Sequence, residues 1–350
     1  MIRKSIQELE ENDILAMDVL TDEYKVVLTE GSVLKKEYIK RLQDLGITDV
    51  YVKEPGIDEA EIAILKKEIR QNVSGTLKNV LERHTYRNND ELVEIVEAAD
   101  NIIENILEED RVVGKIFDIK ERSADIYEHS INICALSILT ALKLGVEISA
   151  IHSIGVGCLL HDIGLRYMTV DYDNRELATL DKKSRLEYMK HPAYGYSALL
   201  KEDWISDLSK NIILFHHEFC DGSGFPLRTN KIPFECQIVT VCDVFDEMIC
   251  GIGCERVKVH EAIEYLKNFQ KIRFDGRIVD TFLSFTAVYP VGTHVLTNEG
   301  ELAVVISQNK EFQNRPVIRI LKDRNGAEVK GIVVKDLIKA NNIFIEKTVD

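Results

Sequence analysis

The sequence lacks long apolar runs and an excess of positive charge. No stretch approaches the roughly 18 uninterrupted apolar residues of a membrane span, and residues 1–8 lack the apolar core of a signal peptide. We therefore expect a cytoplasmic protein that does not enter a membrane. The 44 Lys and Arg residues against 59 Asp and Glu residues leave a net charge of −15. This charge argues against a nucleic-acid polymer or an anionic membrane surface as the main partner.

Paired cysteine motifs are also scarce. The seven cysteines are odd in number and lie mostly in apolar helical patterns, so we expect reduced thiols and no disulfides. Cys250 and Cys254 have a spacing that suits a metal clip, but no second Cys or His pair follows them, which favours plain packing. With 350 residues, 45% of them hydrophobic, the chain is long enough for two or three domains.

The sequence pattern divides the chain into four parts. Residues 1–56 mix short strand-like runs with one helical stretch and predict a small α/β module. Residues 57–115 place apolar residues at helical spacing among charges, which predicts a helical connector and a possible route to a homodimer. Residues 116–286 are helical, and residues 287–350 predict a small β module with turn signals between strands. The predicted fold class is mainly α, with a helical central domain between two smaller modules.

Histidines and carboxylates follow one another between residues 125 and 243. Neutral imidazole and carboxylate together suit divalent first-row cations without any cysteine. Asp125 and His129 stand four apart in a helix predicted from about Arg122 to Leu142, so both would reach the same ion. Adjacent His161 and Asp162, at a helix end, can bind two neighbouring cations with the carboxylate as a bridge. The candidate metal ligands are Asp125, His129, His161, Asp162, His191, His216, His217 and Asp243.

A single histidine at the end of an apolar helix is more often a satisfied core or capping group than a ligand. We apply that interpretation to His84, His152, His260 and His294. The five histidines among the candidate ligands differ, because burying them without cations would leave many polar groups needing partners in an apolar bundle. Their clustering predicts a site with at least two metal ions.

The order of these residues resembles a known family. His129, His161-Asp162 and a distant Asp243 are similar to the HD phosphohydrolase superfamily. The additional His191, the triplet His216–Glu218 and the run Asp221–Pro226 resemble the HD-GYP family of bacterial cyclic di-GMP phosphodiesterases. The resemblance covers about residues 116–286.

The resemblance implies a metal-dependent phosphodiesterase that opens cyclic di-GMP to pGpG and can continue to GMP. It implies that the eight candidate ligands hold two or three divalent ions, with Fe or Mn first and Mg, Zn, Ni or Co as further candidates. Asp125 matches an acidic ligand that is a glutamate supporting a third ion in some members. Its shorter side chain leaves two or three ions open.

The expected chemistry needs no protein nucleophile. Two cations about 3.5 to 4 Å apart activate a bridging water for in-line attack on a phosphodiester and neutralise charge on the phosphorane oxygens. We place His161 and Asp162 at the catalytic centre of this pair. Asp246 and Glu247 are candidate partners for ligating imidazoles, although a solvent-facing helix side explains them as well.

Candidate substrate contacts lie around the predicted metal site. The cations among them suit phosphate, although a solvated surface position is the alternative for each. The loop glycines permit a tight turn and a close backbone approach. The candidates are Arg166, Lys190, Gly224, Phe225, Pro226, Arg228 and Lys231.

Three positions depart from the family pattern. Phe225 replaces the tyrosine of Gly-Tyr-Pro and keeps the ring without its hydroxyl. Leu165, followed by Arg166, replaces the usual lysine, and residues 250–256 do not match the Arg-x-Tyr-Arg stretch that helps hold the substrate. Three alternatives therefore stay open: a hydrolase of another cyclic dinucleotide or nucleotide, a non-catalytic receptor that signals through residues 58–110, and, more remotely, a di-iron oxygenase.

Overall fold

The computed structural model describes most of the chain. The described residues are 2–16, 19–20, 26–29, 31–53, 64–84, 90–108, 117, 119, 125–168, 177–309 and 312–349. The chain divides into two compact units, one spanning Ile62–Val288 and one made of Met1–Glu61 and Tyr289–Asp350.

The N-terminal segment is a small α/β module. Strand β1 (Ile2–Ser5) pairs antiparallel with β4 (Asp49–Val52), and β2 (Val19–Leu20) pairs antiparallel with β3 (Val26–Leu28). Helix α1 spans Lys36–Asp44. Burial alternates along β4, as expected for a strand with one face on a core.

The C-terminal segment is a five-stranded antiparallel sheet in the order β8-β7-β6-β5-β9. Its strands are β5 (His294–Thr297), β6 (Leu302–Ser307), β7 (Val317–Lys322), β8 (Glu328–Asp336) and β9 (Ile345–Val349). Inward apolar residues, among them Val295, Val305 and Ile318, form its core. The predicted β module is confirmed.

The unit Ile62–Val288 is helical, which confirms the mainly α fold class. Its helices are α2 (Lys67–Arg83), α3 (Glu94–Glu108), α4 (Ile126–Lys143), α5 (Ile148–Leu160), α6 (Lys182–Tyr188), α7 (His191–Leu199), α8 (Asp207–Phe215), α9 (Phe234–Cys250), α10 (Val259–Asn268) and α11 (Gly276–Leu283). Several begin at residues whose side-chain oxygens accept from free backbone N–H groups, as at Asp181, Ser206 and Asp275.

Helix α5 lies in the centre of this unit. It is apolar on nearly all sides because α3, α4 and α8 pack around it. Glycines allow the close approach: a Cβ on Gly157 would lie 2.9 Å from Ile212 of α8, and one on Gly155 would lie 3.3 Å from Ala99 of α3. The two helix ends that carry His161 and His216 are thereby brought together.

Helices α2 and α3, in the predicted connector, add their apolar faces to the same core as α4 and α5. Leu77, Ile95 and Ile102 are fully buried there. The three boundaries between the four predicted parts of the chain stay a prediction.

Among the described residues, one segment is long and apolar enough to cross a membrane. It spans Ile148–Tyr167, and most of its apolar window is buried inside the protein. A central core helix has the same length and composition, which agrees with the position of α5.

Candidate metal centre

The predicted ligands lie on five helices or at their ends. His129 is in the second turn of α4, His161 caps the C-terminus of α5, and His191 opens α7. His216 caps the C-terminus of α8, and Asp243 lies within α9. Because these helices pack on one core, residues more than a hundred positions apart meet at one place.

Seven of the eight predicted ligands form two adjacent groups. The ligand atoms of Asp162, His191, His216 and His217 all lie within 4.8 Å of one another, and those of His129, His161 and Asp243 do the same. Asp162 links the groups, since its Oδ2 lies 3.2 Å from His161 Nε2 and its Oδ1 lies 3.2 Å from His191 Nε2. The expected convergence is therefore present.

Backbone carbonyls orient three of the imidazoles. The Nδ1 of His161 donates to Cys158 O at 2.7 Å, that of His191 to Tyr188 O at 2.9 Å, and that of His216 to Ile213 O at 2.9 Å. Because a carbonyl only accepts, each ring keeps its proton on Nδ1 and turns the Nε2 lone pair into the site. The Nε2 atoms of His191 and His216 lie 3.1 Å apart, and two lone pairs at this distance repel unless a cation lies against them.

Several inward atoms of this site lack hydrogen-bond partners among the described residues: His161 Nε2, Asp162 Oδ1 and both carboxylate oxygens of Asp243. The Asp243 side chain is 0% exposed. A buried carboxylate without compensation costs several kcal/mol, on the order of the penalty for removing an ion from water. Divalent cations would satisfy these atoms, and imidazole and carboxylate are suitable ligands for them. The residues therefore fit a metal centre.

Burial sets the protonation of the two adjacent histidines of α8. Burial, with the neighbouring imidazoles, lowers the pKa of His217 to about 3 and that of His216 well below its ordinary value. Both rings are neutral near pH 7, as metal ligands must be. Burial works against ionisation of Asp162, yet His161 and His191 hold its pKa well below the ordinary value. The Asp162 carboxylate is therefore ionised and can bind two neighbouring cations, one through each oxygen.

His129 is oriented by two carboxylates. Its Nδ1 lies 2.8 Å from Asp246 Oδ2, and its Nε2 lies 3.1 Å from Asp243 Oδ1. Burial opposes the charged ring, but both carboxylates raise the pKa of His129 well above its ordinary value, so the ring must release a proton before its Nε2 can bind a cation. Asp246 is therefore a partner of a candidate ligand, in agreement with the sequence.

Asp125 joins neither group among the described residues. The predicted helix start at Arg122 lies outside the described residues, and α4 begins at Ile126. Asp125 has an extended backbone, and its Oδ1 accepts from the N–H groups of Tyr127 and Glu128 at 2.9 Å each. This corrects the prediction that Asp125 and His129 project from one helix face, because Asp125 is used as the helix cap. A third group instead brings Glu247 together with His217 and Asp243.

A cleft of about 720 Å³ lies beside the candidate ligands. Its lining residues are Lys182, Lys183, Leu186, Glu187, Met189, Lys190, Phe225, Pro226 and Arg228. Phe225 connects the cleft with the ligands, since its ring centroid is 4.5 Å from that of His217. Four of the predicted substrate contacts thus line the cleft, namely Lys190, Phe225, Pro226 and Arg228.

The other predicted substrate contacts are placed differently. In the part of the chain that is described, neither Arg166 nor Lys231 lines the cleft, and the Nη2 of Arg166 donates to Glu82 O at 3.4 Å. Gly224 is buried behind the loop, where an added Cβ would lie 2.3 Å from His217 O. Its role is the close backbone approach that the sequence predicted.

Sequence reasoning missed three residues that the structure places in the cleft lining or against the loop beside it. Lys182 and Lys183 belong to an ordinary-looking charged stretch with no motif to identify them. Glu218 is part of the family-like triplet, and its side chain is 1% exposed. Its carboxylate accepts from the backbone N–H groups of Arg228 at 2.9 Å and Thr229 at 3.1 Å, which holds the loop that carries Phe225.

The histidines assigned to ordinary structural roles stay outside the three groups among the described residues: His84, His152, His260 and His294. His152 is half exposed and its Nε2 lies 3.1 Å from Asp100. His84 contacts the hydroxyl of Tyr167 at 2.5 Å.

Two family models match this chain. Residues 114–278 match the model described as HD domain, and residues 294–350 match the one described as KOW domain associated with HD domain. The resemblance of this region to the HD-GYP family is confirmed by the proteins that are similar to this chain.

Two curated relatives are similar to this chain in sequence, and one solved structure is similar to it in fold. Cyclic di-GMP phosphodiesterase PA4108 of Pseudomonas aeruginosa is 28% identical over 224 residues, which are 63% of this chain and 54% of the relative. Cyclic di-GMP phosphodiesterase response regulator RpfG of Xanthomonas campestris is 31% identical over 149 residues, 41% of this chain and 39% of the relative. The chain thus spans about half the length, or less, of these relatives. Bd1817, a HDG"Y"P protein from Bdellovibrio bacteriovorus, is similar in fold, with a TM-score of 0.54, 19% identity and coverage of 80% of this chain and 97% of that one.

Proposed function

We propose that this protein is a metal-dependent phosphodiesterase that hydrolyses cyclic di-GMP to pGpG. The observation that carries the proposal is the pair of adjacent ligand groups, whose buried lone pairs face one another without protein partners among the described residues. The names of the curated relatives support the substrate. The same geometry would suit a related cyclic dinucleotide. Because Phe225 replaces the tyrosine of the family pattern, the test below includes such substrates.

The first group would hold one cation through Asp162, His191 and His216, and the second another through His129, His161 and Asp243. Bound divalent cations would supply Lewis acidity and an activated water. Fe or Mn is the first candidate, followed by Mg, Zn, Ni and Co. Asp162 faces both groups with different oxygens, and we assign it, with His161, the central position of the reaction.

The reaction balances without a protein nucleophile. One water adds to the phosphorus, and the bond from phosphorus to the 3′-oxygen breaks. The 3′-oxygen takes up a proton, and the product is a linear dinucleotide with a 5′-phosphate. A second hydrolysis of the remaining diester would release GMP.

The cleft would orient the rest of the substrate. Lys182, Lys183, Lys190 and Arg228 line it, and Glu187 is its one acidic lining residue in the described part of the chain. Such a cluster in a chain of net charge −15 suits a second phosphate, because local cations determine the potential in a cleft. Phe225 offers a ring on which a guanine can stack.

We also infer a cytoplasmic location, because the apolar α5 is explained by its burial. The predicted homodimer through the helical connector stays part of the proposal. Val93 and Leu107, just before and within α3, are large apolar residues with 45% and 43% exposure, and they would lie in such an interface.

Hydrolysis of defined substrates tests the proposal. The full chain, loaded separately with Mn²⁺, Fe²⁺ or Mg²⁺, is incubated with cyclic di-GMP, cyclic di-AMP and cyclic GMP-AMP, and the products are separated by chromatography. We expect pGpG from cyclic di-GMP, and no product from a variant with His161→Ala and Asp162→Ala. Intact cyclic di-GMP in every metal-loaded sample would refute the proposal. Tight binding without turnover would instead indicate a receptor.

A further inference from the structure

The third group, formed by His217, Asp243 and Glu247, shares His217 with the first group and Asp243 with the second, and Glu247 is its new member. We propose that these three side chains bind an additional divalent cation, with Glu247 as its acidic ligand in place of Asp125. The inference rests on the metal centre of the proposed function and assigns a ligand that the family pattern does not supply.

The three side chains are arranged for a common ion. Their ligand atoms all lie within 4.8 Å of one another. Asp243 and Glu247 are four residues apart in α9, so they project from the same face one turn apart. The Nδ1 of His217 lies 3.5 Å from Asp243 Oδ2.

The Oδ2 of Asp243 provides the second observation. The Asp243 side chain is fully buried, and Oδ2 has no hydrogen-bond partner among the described residues. Oδ1 faces His129 Nε2 at 3.1 Å and His161 Nε2 at 3.9 Å, whereas Oδ2 faces His217. The two oxygens therefore point to different groups, as a carboxylate bridging two cations does.

His217 differs from the neighbouring histidines in its orientation. The Nδ1 atoms of His161, His191 and His216 donate to backbone carbonyls three residues earlier. The Nδ1 of His217 faces the Asp243 carboxylate instead. A neutral imidazole can offer this nitrogen as a lone pair when its proton is on Nε2. His217 lies within reach of both the first and the third group. Because Asp162, His191 and His216 supply one carboxylate and two imidazoles to the first group, we assign His217 to the third position.

Asp125 joins none of the three groups among the described residues, and one of its oxygens is used at the start of α4. Its Oδ1 accepts from two backbone N–H groups at the start of α4. Withdrawing it would leave these donors without that acceptor and would weaken the start of the helix. Glu247 already lies beside His217 and Asp243 and would bind a cation there without leaving a helix cap.

Metal content measured by mass spectrometry tests the assignment without any substrate. The full chain is loaded with Mn²⁺, desalted, and its bound metal is counted per chain. We expect three equivalents in the wild type and two in Glu247→Gln. Asp125→Asn should retain three, because asparagine caps a helix as well as aspartate. Glu255→Gln, an exposed acid just beyond α9, is the control for loss of charge and should also retain three.

Three equivalents in Glu247→Gln, two in Asp125→Asn, or two in the wild type would each overturn the inference. Should Glu247→Gln fail to fold by circular dichroism, an anomalous-scattering map of wild-type crystals decides. A peak bound by Glu247 supports the inference, and a peak bound by Asp125 overturns it. A chain that binds three ions but leaves cyclic di-GMP intact would contradict the proposed substrate alone. A chain that binds none would contradict both proposals.

Discussion

The Oδ2 of Asp246 lies 2.8 Å from the Nδ1 of His129, although 117 positions separate the two residues. This contact directs the Nε2 of His129 toward Asp243, 3.1 Å away. Asp246 therefore acts on the candidate metal centre through the ring that it orients. A carboxylate behind an imidazole also increases the basicity of the ligand nitrogen.

Asp246→Asn should weaken the metal affinity of the centre by about 10- to 100-fold, because the ring loses its charged acceptor. Metal titration followed by calorimetry measures this change. Asp203→Asn, an exposed position in the same unit, should leave the affinity unaltered. An affinity within twofold of the wild type in Asp246→Asn would show that the contact does not support the ligand.

Removing the two lysines of α6 should weaken substrate binding more than it slows turnover. Lys182→Ala with Lys183→Ala removes two charges from the cleft. We expect KM for cyclic di-GMP to rise about 10-fold with kcat nearly constant, because these cations would hold the substrate and not the reacting atoms. Steady-state kinetics at two salt concentrations measure both constants, and the variant should depend less on salt. Lys201→Ala, outside the cleft lining, is the matched control. An unchanged KM would place the second phosphate elsewhere.

Glu218→Gln should loosen the loop that carries Phe225. The buried carboxylate accepts from the backbone N–H groups of Arg228 and Thr229, and its replacement by a neutral amide should lower the free energy of unfolding by about 1 to 3 kcal/mol. Urea denaturation measures the loss, with Glu264→Gln on the exposed side of α10 as the control. Metal content should stay constant, because Glu218 is in none of the ligand groups. If metal is lost together with stability, the residue acts on the ligands as well.

The contribution of His217 to the stability of the metal-free protein should fall as the pH is lowered from about 6.5 toward 3. Burial lowers the pKa of His217 to about 3, so over this range the unfolded chain binds a proton at this position that the folded chain does not. From pH 7 to pH 5 this residue should account for about 2 kcal/mol of lost stability. His217→Asn should therefore show a smaller difference between the two pH values in urea unfolding. His152→Asn, at a half-exposed histidine, should behave as the wild type. Equal pH dependence in His217→Asn and the wild type would contradict the lowered pKa.

Local patterns were sufficient for much of the fold. The helical spacing of the central residues and the alternation after Pro290 predicted a helical domain and a β module, because each pattern has only one way to bury its apolar face. The same patterns could not assign the position of α2 and α3. An amphipathic helix shows which face is buried but not what covers it, and only packing placed these faces in the core shared with α4 and α5.

The sequence by itself determined the type of centre, because histidines and aspartates at the ends of apolar helices must be buried, and buried imidazoles and carboxylates need partners. Only the tertiary structure decided which of them lie close together. Asp125 has the correct spacing from His129, but α4 begins one residue after Asp125 and takes its carboxylate as a cap. Glu247 and the lysines of α6 gain their positions from contacts between distant segments. The physical reason is that spacing along one helix is local, whereas the distances between ligand atoms depend on how separate helices pack.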